Sequence, residues 1–129
     1  MAKICMAGAG SVIETAEYIK KEMLERGGIS PELKDEVRHI QDGVGIDLIV
    51  FERYYMRNGS YASLTVAITG DDEAVYVDGI GAGGGGGIFN ISWGSETDFT
   101  DLLAEILEER GFKSSAHAQR CSAPPAASS

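Results

Sequence analysis

Asn58-Gly59 sits between two strand-like runs, residues 47–57 and 60–70, and no other short pattern in the chain restricts the fold as much. A type I′ turn needs φ > 0 at both central residues, which Asn-Gly tolerates, so the dipeptide predicts a hairpin. A two-residue loop pairs Arg57 with Ser60, Met56 with Tyr61, Tyr54 with Ser63, Glu52 with Thr65 and Phe51 with Val66. A second two-residue turn at Asp71-Asp72 pairs Ile68 with Val75, Val66 with Val77 and Thr65 with Asp78. Both registers place Ile49, Phe51, Leu64, Val66, Ile68, Val75 and Val77 on one apolar face. The opposite face collects Val50, Glu52, Tyr54, Met56, Tyr61, Ser63, Thr65, Ala67, Tyr76 and Asp78, a mixed surface expected to be at least partly wet.

These registers also predict a row, Glu52–Thr65–Asp78, across three adjacent strands. Strands lie about 4.8 Å apart, so the two carboxylates would stand roughly 9–10 Å apart. That is the upper end of the spacing with which inverting glycosidases flank a substrate and a water. Glu52, Asp78 and Thr65 are therefore the catalytic candidates if the chain is a hydrolase-type enzyme. The competing reading, preferred here, is the solvated face of an amphipathic sheet, and a bulge would flip the parity of a strand and destroy the row.

A chain of 129 residues, 43% of them hydrophobic, suits one domain with one core. Its formal net charge of −9 opposes binding to nucleic acid, which needs a basic stripe, and to an anionic membrane surface. No window reaches the roughly 18 apolar residues of a spanning helix. The N-terminal run MAKICMAGAGS has no cleavage-like site and reads as a strand of a cytoplasmic protein. Cys5 and Cys121 stand at opposite ends, without disulfide-framework or metal spacing, and are expected to be free thiols. His39 and His117 lack neighbouring ligand types, so neither a metal site nor a cofactor is expected.

Ser11-Val12-Ile13-Glu14 is a capping box, and Val12, Ala16, Ile19 and Met23 continue it as one apolar helical stripe ended by Gly27-Gly28. Ser95-Glu96-Thr97-Asp98 opens a second helix with Phe99, Leu102, Leu103, Ile106 and Leu107 on one side and Gly111 closing it. Residues 29–40 fit either a short helix, with Pro31 at its first position, or an edge strand. Asp42-Gly43-Val44-Gly45 is a turn in both readings. Residues 113–129 are Ser/Ala/Pro-rich with almost no core formers and are expected to be a disordered tail outside a domain of residues 1–112.

Gly79-x-Gly81-x-x-Gly84 matches a dinucleotide fingerprint and follows a strand, but it leads into Ile88-Phe89-Asn90-Ile91, a strand-like run, where the fingerprint requires a helix. A dinucleotide site is therefore not expected. The glycines suit a tightly packed crossover. Alternatively, Gly83, Gly84 and Gly85 offer backbone amides beside the Ser95 helix start as an anion-binding nest. Tyr54, Tyr61 and Tyr76 fall on the mixed face as candidate ligand contacts.

The stretch from Val50 to Phe99, with its F-E-R-Y strand, glycine turn, S-L-x-V strand, G-D turn, glycine-rich segment and W-G-x-E helix start, resembles an uncharacterised family of small bacterial domains of unknown function. The resemblance covers about residues 28–107. It implies no activity, but it favours a strand over a helix for residues 29–37. The unbroken glycine run and the Ala/Ser/Pro tail depart from that pattern. The expected fold is α+β in two layers: an antiparallel meander of about five strands with two amphipathic helices on its apolar face. The leading expectation for function is a non-enzymatic small-ligand-binding or homo-oligomeric domain. The hydrolase and the anion-binding regulator are the alternatives.

Overall fold

The computed structural model describes residues 2–26, 31–55, 60–71, 73–83 and 95–114. Ser11 Oγ accepts a hydrogen bond from the Glu14 amide at 3.1 Å, which starts helix α1 (Val12–Arg26) at the predicted capping box. The predicted stripe Val12, Ala16, Ile19 and Met23 is buried, together with Thr15. Helix α2 (Ser95–Glu109) buries Phe99, Leu103, Ile106 and Leu107. It ends in a Schellman motif: the Phe112 amide donates to Leu107 O at 2.9 Å and the Gly111 amide to Glu108 O at 3.0 Å, with Gly111 at φ 91°.

Six antiparallel strands form one sheet in the order β2-β3-β4-β5-β1-β6, one strand more than the sequence predicts. They are β1 (Ala2–Gly8), β2 (Glu32–Gln41), β3 (Val44–Tyr55), β4 (Ser60–Gly70), β5 (Val75–Gly83) and β6 (Lys113–Ser114). Both helices pack on one face, over Met6, Ile49, Phe51, Leu64, Val66, Ile68, Val75 and Val77. Every residue predicted for the apolar face lies there and is buried.

The registers differ from the predicted ones by two residues. Tyr54 pairs with Tyr61, Glu52 with Ser63 and Val50 with Thr65, while Thr65 pairs with Ile80 and Ala67 with Asp78. A slip of two preserves parity, so burial alone cannot distinguish these registers; loop length does. In the second hairpin Gly70 pairs with Val75, and Asp71 Oδ1 holds the longer turn by accepting from the amides of Glu73 at 2.8 Å and Ala74 at 3.1 Å. A two-residue turn with positive φ at both positions does occur, at Asp42 (55°) and Gly43 (81°), joining β2 to β3. Asn58-Gly59 lies outside the described residues.

Residues 32–41 form an edge strand, the outcome favoured by the family resemblance over helical periodicity. A bulge explains the poor alternation. Pairing runs from Leu33↔Phe51 to Asp35↔Val50, leaving Lys34 over, so Leu33, Glu36, Arg38 and Ile40 share the helix side.

Gly79 and Gly81 are strand residues of β5, not loop residues. Gly79 leaves room for α2, because a Cβ there would stand 2.8 Å from Leu103 Cδ2. Gly8 likewise leaves room for the Phe112 ring, 2.6 Å from where its Cβ would lie. The expected strand over 88–93 and residues 115–129 of the tail lie outside the described residues. Lys113 and Ser114, assigned to the tail from sequence, pair with Ala7 and Met6. Cys5 is disulfide-bonded, correcting the expectation of a free thiol there; Cys121 lies outside the described residues.

Candidate functional site

The sheet face away from the helices has no described element packed on it. Strict alternation sends Lys3, Cys5 and Ala7 of β1 to this side, with Tyr76, Asp78 and Ile80 of β5 and Tyr61, Ser63, Thr65, Ala67 and Thr69 of β4. β3 contributes Ile46, Leu48, Val50, Glu52 and Tyr54, and β2 contributes Asp35, Val37 and His39. Across the middle run the rows Val37–Leu48–Ala67–Asp78–Cys5 and Asp35–Val50–Thr65–Ile80–Lys3. The centre is mainly apolar, with Asp78 within it, and Lys3, Glu32, Lys34, Asp35 and Glu52 stand towards the margins. Val37 is 47% exposed and Ile80 45%, high for aliphatic side chains in the middle of strands.

At one corner Glu32, Lys34, Glu52, Tyr54 and Tyr61 line a cleft of about 230 Å³. The bulge residue Lys34 reaches Glu32 at 3.1 Å and Glu52 at 3.8 Å. Glu32 first and then Glu52 hold the lysine ammonium above its ordinary pKa. Tyr54 and Tyr61, paired across the strands, pack with ring centroids 4.9 Å apart and planes tilted by 53°.

Of the sequence candidates, Glu52, Thr65, Asp78, Tyr54, Tyr61 and Tyr76 are all on this face, but they do not converge. The two-residue slips put Glu52 in the row Glu52–Ser63–Ala82, Thr65 in the next, and Asp78 in the one after. Two strand spacings across and four residues along separate Glu52 from Asp78 by about 16 Å, far beyond a glycosidase pair. The row on which the hydrolase expectation stood is absent from this ladder. Burial alone raises the Asp78 carboxyl, although its side chain still meets solvent. Gly83 pairs with Ala62 at the end of β5. Gly84 and Gly85 lie outside the described residues, as does the Ser95 side chain. Among the described residues no three His, Cys, Asp or Glu side chains gather as a metal site, and no helix is long and apolar enough to cross a membrane.

Sequence reasoning missed an ion network on the helix side, at the rim where α1 meets β2 and β3. Asp47 is fully buried, and its Oδ2 accepts from Arg38 Nε at 2.7 Å. Arg38 also reaches Glu17 of α1 at 2.9 Å, and Lys20 of α1 reaches Glu36 at 2.8 Å. Burial, then Glu36, push the Asp47 carboxyl up against the opposing pull of Arg38. Burial also opposes ionisation of Glu36, but Lys20 and its neighbours outweigh it and hold Glu36 low. With both groups ionised Asp47 Oδ1 has no hydrogen-bond partner; a proton kept on Asp47 and donated to Glu36 supplies one. The network clamps the edge of the sheet to α1. Its sequence signal was the pair Glu36 and Arg38 at helix-side positions of a strand, legible only once the bulge is known.

A model of a family of unknown function (DUF6054) matches residues 1–111. The chain belongs to this family. No curated protein and no solved structure matched the chain. The family match spans the whole sheet except β6, so the open face is part of the family domain while residues 112–129 lie beyond it.

Proposed function

We propose that this domain is a non-enzymatic interaction module that associates with a second copy of itself through the open sheet face. The supporting observation is the apolar centre of that face, Val37, Leu48, Val50 and Ile80, on which no described element packs, in a domain whose other face carries two helices. Size agrees. From β2 to β1, four spacings of about 4.8 Å and strands some 24–40 Å long outline about 650 Å², approaching the roughly 800 Å² per partner of a stable interface. The charged margins, with Glu32, Asp35 and Glu52 against Lys3 and Lys34, supply both signs for orientation.

Light scattering on the reduced full-length chain over a concentration series is the test. A dimer that Leu48→Asp converts to monomer is expected; a wild-type chain monomeric throughout overturns the proposal. Small-ligand binding at the Lys34 corner takes second place on magnitude, because about 230 Å³ falls below the usual 300–1,000 Å³ of ligand sites.

A further inference from the structure

Asp78 stands near the middle of β5, in the row Val37–Leu48–Ala67–Asp78–Cys5 of the open face. We propose that this carboxyl makes self-association proton-linked: Asp78 takes up a proton when two open faces meet, so acidification closes the pair and neutral pH opens it. The inference rests on the self-association reading and assigns that face its regulation.

The strands around Asp78 give it little countercharge. On β4 it pairs with Ala67, flanked on the same side by Thr65 and Thr69, none of which ionises. On β1 it pairs with Cys5, flanked by Lys3 and Ala7. Cys5 carries no charge as a disulfide, and as a thiol it ionises only near pH 8.5. Tyr76 and Ile80 are its same-side neighbours on β5, and a tyrosine ionises near pH 10. Lys3 lies on the diagonal, at about 7–8 Å between Cα atoms, and Lys113 of β6 is a strand further out, paired with Ala7. Already in the single copy burial pushes the Asp78 carboxyl up, and among the described residues no cation pulls it back.

Symmetry decides what a second copy brings. Sheets that pack face to face in the aligned manner stand about 10 Å apart, and the two-fold axis between them runs along the strands or across them. An axis along β4, the middle of the five long strands, lays β5 over β3 and β1 over β2 of the second copy. Matching rows then puts Ile80 over Val50, Lys3 over Asp35 and Asp78 over Leu48. The first two contacts are complementary, apolar on apolar and cation on anion. The third presses a carboxylate against an aliphatic side chain, while Asp35 of the second copy draws Lys3 away from it. An axis across the strands, along the Asp78 row, lays Asp78 over Asp78. Ionised, the carboxyl loses its water in the first arrangement and meets a like charge in the second. Protonated, it gives up only the hydration of a neutral group, a far smaller penalty.

Asp78 therefore has a higher pKa in the pair than in the single copy. The pair binds more protons, and association strengthens as pH falls from the paired value towards the single-copy value. One proton per copy changes the dissociation constant by up to about a hundredfold per pH unit, and one proton shared by both copies by up to about tenfold. Acidification also reduces the net charge of −9, which eases repulsion between copies. That repulsion acts between exposed charges and is largely screened in about 1 M salt, where the Debye length is about 3 Å. The lost hydration of Asp78 is not screened.

The test measures the dimer dissociation constant of the reduced full-length chain by light scattering in about 1 M sodium chloride, from about pH 7.5 down to about pH 5.5. Wild type is compared with Asp78→Asn, with Asp78→Ser, and with Asp101→Asn, which removes the same charge from an exposed position on α2. Expected are a wild type and an Asp101→Asn chain that dimerise at least about tenfold more tightly at the lower pH. Both Asp78 variants should dimerise at the higher pH about as tightly as wild type does at the lower one, and change by less than about threefold across the range. Asp78 variants that keep the pH dependence of wild type overturn the proposal. So do Asp78 variants that both pair more weakly than wild type at the higher pH, because the ionised carboxylate then holds the pair together. A wild-type dimer indifferent to pH also overturns it and leaves the self-association reading standing. If wild type and all variants are monomeric at every pH and concentration, it is the self-association reading that falls, and the regulatory role falls with it.

Discussion

The two faces of the sheet are made by alternate residues of the same strands, yet they solve opposite problems. On the covered face side chains are fitted to particular neighbours. Gly79 gives way to Leu103, Gly8 to Phe112, and the buried Asp47 is held by Arg38. On the open face Val37 and Ile80 keep nearly half their surface in water, while Leu48 and Val50 are half-buried. The difference teaches where each class of substitution should register: in folding stability on one side, in association on the other.

The largest expected effect tests the covered face directly. Phe51→Ala empties a fully buried site and should cost about 3–5 kcal/mol in urea unfolding; a loss under about 1 kcal/mol would erase the distinction between the faces. Gly79→Val comes next, at about 1–3 kcal/mol for overpacking against α2. Combined with Leu103→Ala it should cost less than the sum of the two single changes, because the new side chain occupies the space the leucine leaves. Strict additivity would mean that the glycine is not there for Leu103.

A subtler effect lies in pH. The folded-state pKa of Asp47 is raised, so its ionisation opposes folding. The folded state keeps the proton longer, and stability from this group declines as pH rises from the unfolded aspartate value through the folded one. Glu36 is lowered, so its contribution is present above the unfolded glutamate value and is lost as pH falls through the folded one. Urea midpoints from about pH 3 to pH 7 should therefore show Asp47→Asn improving relative to wild type as pH rises, and Glu36→Gln worsening. Parallel curves would dissolve the pair. The smallest effect is reserved for the open face: Ile80→Ser, measured at low protein concentration, should alter unfolding by no more than about 0.5 kcal/mol while weakening dimerisation.

Much of this architecture was legible in the chain, because face assignment depends only on parity. The stripes of α1 and α2 and the set from Ile49 to Val77 follow from periods of 3.6 and 2, and neither period changes when a hairpin slips by two. Register is another matter. It depends on loop length, which the Asp71 side chain sets through hydrogen bonds that no periodicity reports, and the Glu52–Thr65–Asp78 row failed on that point. The ion network was hidden for a related reason: the bulge at Lys34 shifts Glu36 and Arg38 to the helix side, so a strand that obeys alternation reads as one that does not. Gly79 read as part of a glycine loop because the residue it makes room for, Leu103 of α2, is distant in sequence and its role exists only after α2 docks.

The bulge in β2 has a consequence for how this molecule can grow. A sheet can extend sideways by accepting another strand, and long flat edges invite such extension into fibres. Here one edge is β2, kinked at Lys34 and crowded with Glu32, Asp35 and Glu36, and the other is β6, only two residues long. Neither described edge offers an incoming strand a straight run of free amides and carbonyls. In the proposed face-to-face pairing assembly would stop at two copies, and the same kink that disguised β2 in the sequence works against an open-ended polymer.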